Sequence, residues 1–407
     1  MKILIIASGV GGGARLSALT LAKAIAMTTS HQVYITSKDN ENLDNLNFTN
    51  LSKNGLYNFL SKVATLIQKI VTKPKFGIVS VYSIGRIDKK KIRNLKPDII
   101  HIHNWFNLLN PKDFLRLSEI APLVFTTHDQ RLITGGCHIT YECESYKDHC
   151  SNCIAIHLIQ KSVSKNYIKF EEIFPKLGNY GVITPTLWTY KKIAGSSLVK
   201  NSAVFENIPN LIKVPSKSEI ANRGLHSSMD KNEEITLRFI ASNINEHAKG
   251  LDLLISALDH YYLSSGKKIN LNIYGFGKPK YIRDYNIIYH GFQNNESQNW
   301  SNPNIITIVP SRMDNAPSTI LEAQLNHSFV IGTITGGIPD LIKDGVTGIL
   351  SEVDAPSLAK AISRYQKLEN GTRNQILRTA YEDASKRINE KHVLEKHLNV
   401  YKELLKS

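Results

Sequence analysis

The chain has 407 residues, 42% hydrophobic and 21% charged, a composition ordinary for a globular protein and ample for two cores. A formal net charge of +15 points, beyond plain solubility, to an anionic partner: nucleic acid, acidic lipid headgroups or a phosphorylated substrate. No run approaches the ~18 apolar residues of a membrane span, and Ile3–Ala7 is too short for a signal peptide, so the cytoplasm is the expected compartment.

In chain order, Lys2–Ala7 reads as a first β-strand, Gly9–Gly13 as a glycine loop, and Ala14–Met27 as a helix with apolar spacing. Val33–Thr36, Asp98–Ile102, Leu123–Thr127 and Val182–Thr184 read as further strands. Residues 211–234 are polar and interrupted and read as a linker. A second series follows: Thr236–Ala241, a helix from about Gly250 to Leu263, then Asn270–Tyr274, Ile305–Val309 and Phe329–Thr333, with 385–405 a last helical segment. This alternation predicts an α/β fold of two Rossmann-like doubly wound domains. Such sheets bind ligands beyond the carboxyl ends of their strands, so the expected active site is the cleft between the lobes.

The segment Pro310–Ala323 follows the strand Ile305–Val309. Ser318 is a plausible N-cap, which places Glu322 about one turn into a helix and leaves Asp314 on the loop. A helix start offers free N–H groups and a positive dipole end to a diphosphate, and a carboxylate can accept two hydrogen bonds from a ribose diol. The bland alternative is a capped helix with two surface acids.

Seven residues separate Asp314 from Glu322, and Asp314-Asn315-Ala316-Pro317-Ser318-Thr319-Ile320-Leu321-Glu322-Ala323 resembles the E-x7-E signature of retaining family-4-type glycosyltransferases of GT-B fold. The resemblance implies that Glu322 binds the donor ribose and that Asp314, one methylene shorter than the usual Glu, lies at the donor sugar, with Asn315 and Ser318 beside the donor. Gly332–Gly345 resembles the family's T-x-x-G-G-x-P-E-x-I-x-D-G run, which brings Gly336 and Gly337 close to the ligand. Lys249 matches the lysine that neutralises donor phosphates, whereas Ala241-Ser242-Asn243 stands where many members carry an Arg. Gly12 and Gly13 open the first helix and match the family's loop facing the cleft.

The implied organisation is an acceptor domain over 1–212, a nucleotide-sugar domain over 213–384, and a helix over 385–407 returning to the first domain. The implied reaction moves a sugar from a UDP- or GDP-linked donor with retention. No D-x-D pair is present, so no obligatory catalytic metal is expected.

Two histidine groups end strands, His101-Ile102-His103-Asn104 and Thr126-Thr127-His128-Asp129, and both are expected to face the cleft. His128 is the favoured catalytic histidine, able to donate to the donor sugar or order an acceptor. Downstream stand Cys137, Cys143, Cys150 and Cys153. Four thiolates can hold a tetrahedral structural zinc and staple a loop; free thiols and disulfides are the alternatives. The run T-x-H-D-x-x-x-x-T-G-G-C-H with further cysteines resembles a subgroup from colanic-acid, capsule and O-antigen clusters. That implies a polyprenyl-diphosphate-linked oligosaccharide acceptor.

Leu56, Phe59, Leu60, Val63, Leu66, Ile67 and Ile70 recur at helical spacing among Lys53, Lys62, Lys69, Lys73 and Lys75. Such a helix either lies on an anionic inner-membrane leaflet or packs into the core with a lysine face. Two rival functions are a nucleotide-sugar epimerase of the same fold and a basic nucleic-acid binder. The second is disfavoured, because the basic residues are dispersed and no aromatic-basic module appears, so no nucleic-acid partner is expected.

Overall fold

The computed structural model describes residues 1–7, 12–36, 46–49, 51, 55–77, 79–81, 84–85, 87–215, 235–279, 286–293, 300, 302 and 304–406. The expected glycine-loop start at 9–11, most of the expected linker (216–234) and Lys53 lie outside them. The chain divides into two compact units, Met1–Leu211 with Glu390–Ser407, and Ile212–Asn389.

The N-terminal unit is built on β1 (Lys2–Ala7), β2 (Gln32–Thr36), β3 (Asn47–Thr49), β4 (Ile99–Asn104), β5 (Leu123–Thr126), β6 (Tyr180–Thr184) and β7 (Val204–Asn207). Their order is β3-β2-β1-β4-β5-β6-β7, and every pairing is parallel. A parallel sheet is covered on both faces, so its central strands read as unbroken apolar runs. Strand parity then assigns each side chain. Leu4 and Ile6 of β1 join Phe114, Phe125 and Phe170 in one core, while Ile3 and Ile5 meet Leu21 and Ile25 of α1 (Gly13–Thr28) in the other. The remaining helices are α2 (Gly55–Val71), α3 (Lys89–Leu95), α4 (Pro111–Ser118), α5 (Lys161–Ile173) and α6 (Leu187–Ala194).

The C-terminal unit holds β8 (Thr236–Asn243), α7 (Leu251–Ser265), β9 (Asn270–Phe276), β10 (Ile287–Gly291), β11 (Ile305–Val309), α8 (Ser318–Leu325), β12 (Val330–Thr333), α9 (Ile338–Leu341), β13 (Ile349–Ser351), α10 (Ala355–Lys367) and α11 (Asn370–Arg387). Its strands run β10-β9-β8-β11-β12-β13, again all parallel. The order reverses between β8 and β11, and the crevice beyond the carboxyl ends at such a reversal is where these sheets take ligands.

The last helix, α12 (Glu390–Lys406), belongs to the N-terminal unit. Its Val400 and Leu404 lie over Gly181 of β6, where an added Cβ would stand 3.3 Å from both side chains. Tyr401 also ties the helix to β4, its hydroxyl 2.7 Å from Nδ1 of His101. The other ring nitrogen of His101 is 2.7 Å from Oγ1 of Thr126. His101 and His103, expected from the strand end to face the cleft, are core histidines, both fully or almost fully buried. Burial first, and then the neighbouring imidazoles (His397 and His128 for His101; His101, His128 and His397 for His103), hold both well below the ordinary imidazole range. His397 donates Nδ1–H to the Val393 carbonyl at 2.8 Å, and burial lowers it to about 4.

These neutral histidines make the unit acid-labile. Their folded-state pKa values lie below the unfolded ~6.5, so below that pH the unfolded chain binds more protons than the folded one, and stability falls as pH drops toward 4. Each such histidine contributes a slope of about 1.4 kcal/mol per pH unit in that window. We expect the chemical-denaturation midpoint to fall steeply between pH 6.5 and 4.5, and His397→Gln to flatten that slope. A wild-type midpoint independent of pH across this window would refute the account.

Candidate functional site

In the C-terminal unit, three separate chain segments meet at Asp314. Lys249 closes the turn before α7, and its ammonium lies 2.6 Å from Oδ2 of Asp314. The other carboxylate oxygen accepts the Ala316 N–H at 3.3 Å. The Asp314 carbonyl accepts the Gly337 N–H at 2.9 Å. Gly336, at φ 55°, lies so close to that carbonyl that an added Cβ would stand 2.0 Å from its oxygen. A side chain at 336 is excluded both by this approach and by its left-handed backbone. Gly250 is forced in the same way, since its Cβ would stand 2.0 Å from the Pro310 carbonyl. The turn carrying Lys249 can therefore lie directly on the end of β11.

Arg312 adds a second tie. Its two terminal nitrogens meet the two Asp252 oxygens at 2.6 and 2.8 Å, and it also donates to the His247 carbonyl at 3.1 Å. Burial alone would raise the Asp252 carboxyl, but Arg312 outweighs it and holds it low. Sequence reasoning missed this pair; the only signal was an acid in the first turn of a helix beside a loop Arg.

Glu322 is buried within α8, 6% exposed, as is Asn315 on the loop before it. Pro317, not Ser318, occupies the N-cap position, and no side chain caps the helix. The loop is held instead by the Asp314 carboxylate on the Ala316 N–H and by the extended backbone of Pro317 (φ −68°, ψ 108°), which leaves Ser318 as the first helical residue.

The N-terminal unit presents its groups at the ends of β1, β4 and β5. Gly12 (φ 92°) precedes α1, and among the described residues an added Cβ at Gly12 or Gly13 would meet nothing within 4 Å. His128 is partly exposed, and its Nε2 lies 2.9 Å from Nδ1 of buried His103. Burial lowers His128 to about 4 against the opposing pull of Asp129. Asp129 grips Arg131 through Nε at 2.9 and 2.8 Å and through a terminal nitrogen at 2.6 Å. Arg131 in turn donates to Asn104 at 2.8 Å and lies 4.4 Å over the Trp105 ring. Burial would raise the Asp129 carboxyl, but Arg131 and then His138 hold it below its ordinary range. His138 stands 3.7 Å from Asp129 and 2.6 Å from the Ser80 hydroxyl. Arg131 and His138 of the motif from Thr126 to His138 thus close on one carboxylate. Its glycines pack where side chains cannot, Gly135 against the Val163 carbonyl and Gly136 against that of Ser80.

The four cysteines are free and line one small cavity with Phe76 and Tyr146. The Cys137 thiol donates to the Cys153 sulfur, which raises Cys137 and holds Cys153 down at about 6. Cys153 also accepts the N–H groups of Ala155 and Ile156. Cys150 accepts the Gly135 N–H at 3.3 Å, and burial pushes it up to about 12. Among the described residues no three His, Cys, Asp or Glu side chains are grouped to hold a metal ion.

Residues 235–367, which include every C-terminal site residue named above, match the family model described as "Glycosyl transferases group 1". The chain is 22% identical over 343 residues to the Escherichia coli (strain K12) protein named "Putative colanic acid biosynthesis glycosyl transferase WcaC", covering 77% of this chain and 78% of that one. Among solved structures it resembles sucrose-phosphate synthase from Thermosynechococcus elongatus, with TM-score 0.66 and 15% identity over 99% of this chain and 98% of that one. It also resembles Anabaena Alr3699/HepE in complex with UDP-glucose, with TM-score 0.61 and 15% identity over 97% and 98%. Two parallel-sheet α/β units and these likenesses establish the GT-B fold, and the chain carries a glycosyl transferase group 1 domain at residues 235–367.

Proposed function

We propose that the protein is a retaining glycosyltransferase that moves a sugar from a UDP- or GDP-linked donor to a polyprenyl-diphosphate-linked oligosaccharide during bacterial surface-polysaccharide synthesis. The observation that carries this reading is the convergence of Lys249, Asp314, Gly336 and Gly337 beside the start of α8, with Glu322 buried one turn further on. The polysaccharide assignment is supported by the colanic-acid name of the E. coli relative. The nucleotide-sugar assignment is supported by the UDP-glucose complex of the Anabaena protein.

In this reading the Glu322 carboxylate accepts hydrogen bonds from the ribose diol. Lys249 and the first N–H groups of α8 take the charge of the departing diphosphate, where preorganised donors contribute most. Asp314, already held by its ion pair and by the loop amides, orients the transferred sugar. Gly336 and Gly337 leave backbone within reach of the ligand. In the N-terminal unit His128, neutral at pH 7, orders an acceptor hydroxyl by hydrogen bonding. The chemistry rests on orientation and charge stabilisation, and no protein nucleophile is assigned.

Thermal unfolding against a panel of UDP- and GDP-sugars tests the donor. A ligand at about 100 times its dissociation constant adds about 2.7 kcal/mol of stability. One nucleotide class should stabilise the wild type and fail to stabilise Glu322→Ala; a panel that shifts neither protein would overturn the reading. Turnover of the identified donor without acceptor to an epimeric nucleotide sugar would replace it with an epimerase.

Kinetics and product analysis test the rest. Lys249→Met should lower kcat by about 10²-fold, the scale of a lost charge-stabilising donor, with Lys249→Arg recovering part of the loss. The anomeric proton of the product should report the donor's configuration. An inverted product excludes the retaining mechanism.

A further inference from the structure

The helix α2 is built inside out. A surface helix ordinarily turns its apolar stripe inward and its polar face to water. Here the inward positions are Ser61, Ala64 and Gln68, 3%, 5% and 0% exposed, with Val71 at the helix end the one large apolar side chain among the described residues of α2 that is buried, at 6%. The outward positions are Leu56, Phe59, Leu60, Val63, Leu66, Ile67 and Ile70, whose exposures run from 39% to 68%. Core packing with a lysine face, the alternative open from the sequence, is therefore not what α2 does.

The apolar surface continues past the helix. The Val71 carbonyl accepts the His157 N–H at 3.1 Å, and the Lys73 N–H reaches the Ala155 carbonyl at 2.8 Å. These bonds clamp the 154–159 segment against the end of α2, and there Ile154, Leu158 and Ile159 are 45%, 59% and 44% exposed. An uncovered apolar surface of this extent marks an interaction site.

Its charge selects the occupant. Residues 45–87 contain no Asp or Glu. Lys62 and Lys69 lie along one flank of the stripe, and Lys75 and Lys161 stand at its far end, all exposed. Lys89 and Arg93 are not part of this rim, because they pair with Asp113 and Glu119. A second copy docking stripe to stripe would bring two uncompensated lysine flanks together. An anionic bilayer satisfies both features: the apolar residues enter the boundary of the acyl chains, and the lysine stems lie along it with their ammonium groups among the phosphates. Among the described residues no helix is long and apolar enough to cross a membrane.

We propose that α2 and the adjoining Ile154–Ile159 segment lie in the interface of an anionic phospholipid membrane. This deepens the proposed function, since a polyprenyl-linked acceptor is held at such a surface, but its test does not depend on transfer.

Flotation of the full chain with vesicles of phosphatidylcholine alone, or mixed with phosphatidylglycerol, provides that test. The wild type should float with the mixed vesicles at low salt and remain below with the neutral ones. Phe59→Ser combined with Leu66→Ser and Ile70→Ser removes exposed side chains only. It should keep the wild-type melting temperature and nucleotide-induced shift while losing vesicle affinity by about tenfold or more. Lys62→Glu with Lys69→Glu should lose binding comparably. Wild-type protein that stays below with the anionic vesicles overturns the proposal, as does a triple-serine variant that floats undiminished. A wild-type dimer that the triple-serine variant converts to monomer, without vesicle binding, assigns the stripe to a second copy instead. Loss of the nucleotide shift with flotation intact would sink the proposed function and leave this inference standing.

Discussion

The C-terminal site depends on how many things one residue does. The Asp314 carboxylate holds Lys249 and its own loop, and the Asp314 carbonyl holds the Gly336–Gly337 turn. Lys249, Asp314 and Gly337 are distant in sequence and fixed in space by a single residue at the end of β11. That arrangement works only because Gly250 and Gly336 have no side chain to keep the backbones apart. The ion pair also sets the electrostatics. A lysine already compensated by a carboxylate can be kept at the site without a ligand, and 29% side-chain exposure leaves it within reach of one. The Arg312–Asp252 pair braces the same turn from the other side.

The N-terminal unit solves a different problem, which is how to bury imidazoles beneath a polar rim. His101 and His397 are satisfied inside the unit by Tyr401, Thr126 and the Val393 carbonyl. Being neutral, they carry no desolvated charge. Beside them Asp129 and the buried Arg131 neutralise one another, and the guanidinium also rests on Trp105. Burying an ion pair is costly unless its remaining donors are used. Arg131 uses one of them on Asn104, which fixes the end of β4 to the loop after β5.

Much of this was legible because parallel strands are apolar on both faces. β1 and β11 match the runs read from the sequence at both ends, and the other central strands agree to within a few residues. The strands that escaped were β3, β7, β10 and β13. Two of these have only three residues, Asn47–Thr49 and Ile349–Ser351, too short for any period to show. The association of Lys249, Asp314 and the double glycine followed from family resemblance, because nothing in the local pattern of any one segment specifies the other two. The N-cap at Ser318 failed for a local reason: proline's backbone and the Asp314 carboxylate already organise that turn. The expectation that the histidines ending β4 face the cleft missed a tertiary effect, the return of α12, whose Tyr401 packs on buried His101.

The orientation of α2 could not be read from its sequence at all. An apolar stripe at helical spacing has the same pattern whether it faces a core or a solvent boundary. The difference lies in what the opposite face meets, and Ser61, Ala64 and Gln68 are small or amide side chains that a tight, partly polar interior accepts. The net charge of +15 acquires a location by the same route. In the C-terminal unit Arg312, Lys343, Arg364 and Arg387 each meet an aspartate. From residue 45 to 87 there is no acid to meet. The excess of positive charge is thus partly concentrated around α2, a helix whose apolar face is uncovered. Charge and exposed apolar area on the same element favour a surface that is itself both anionic and apolar.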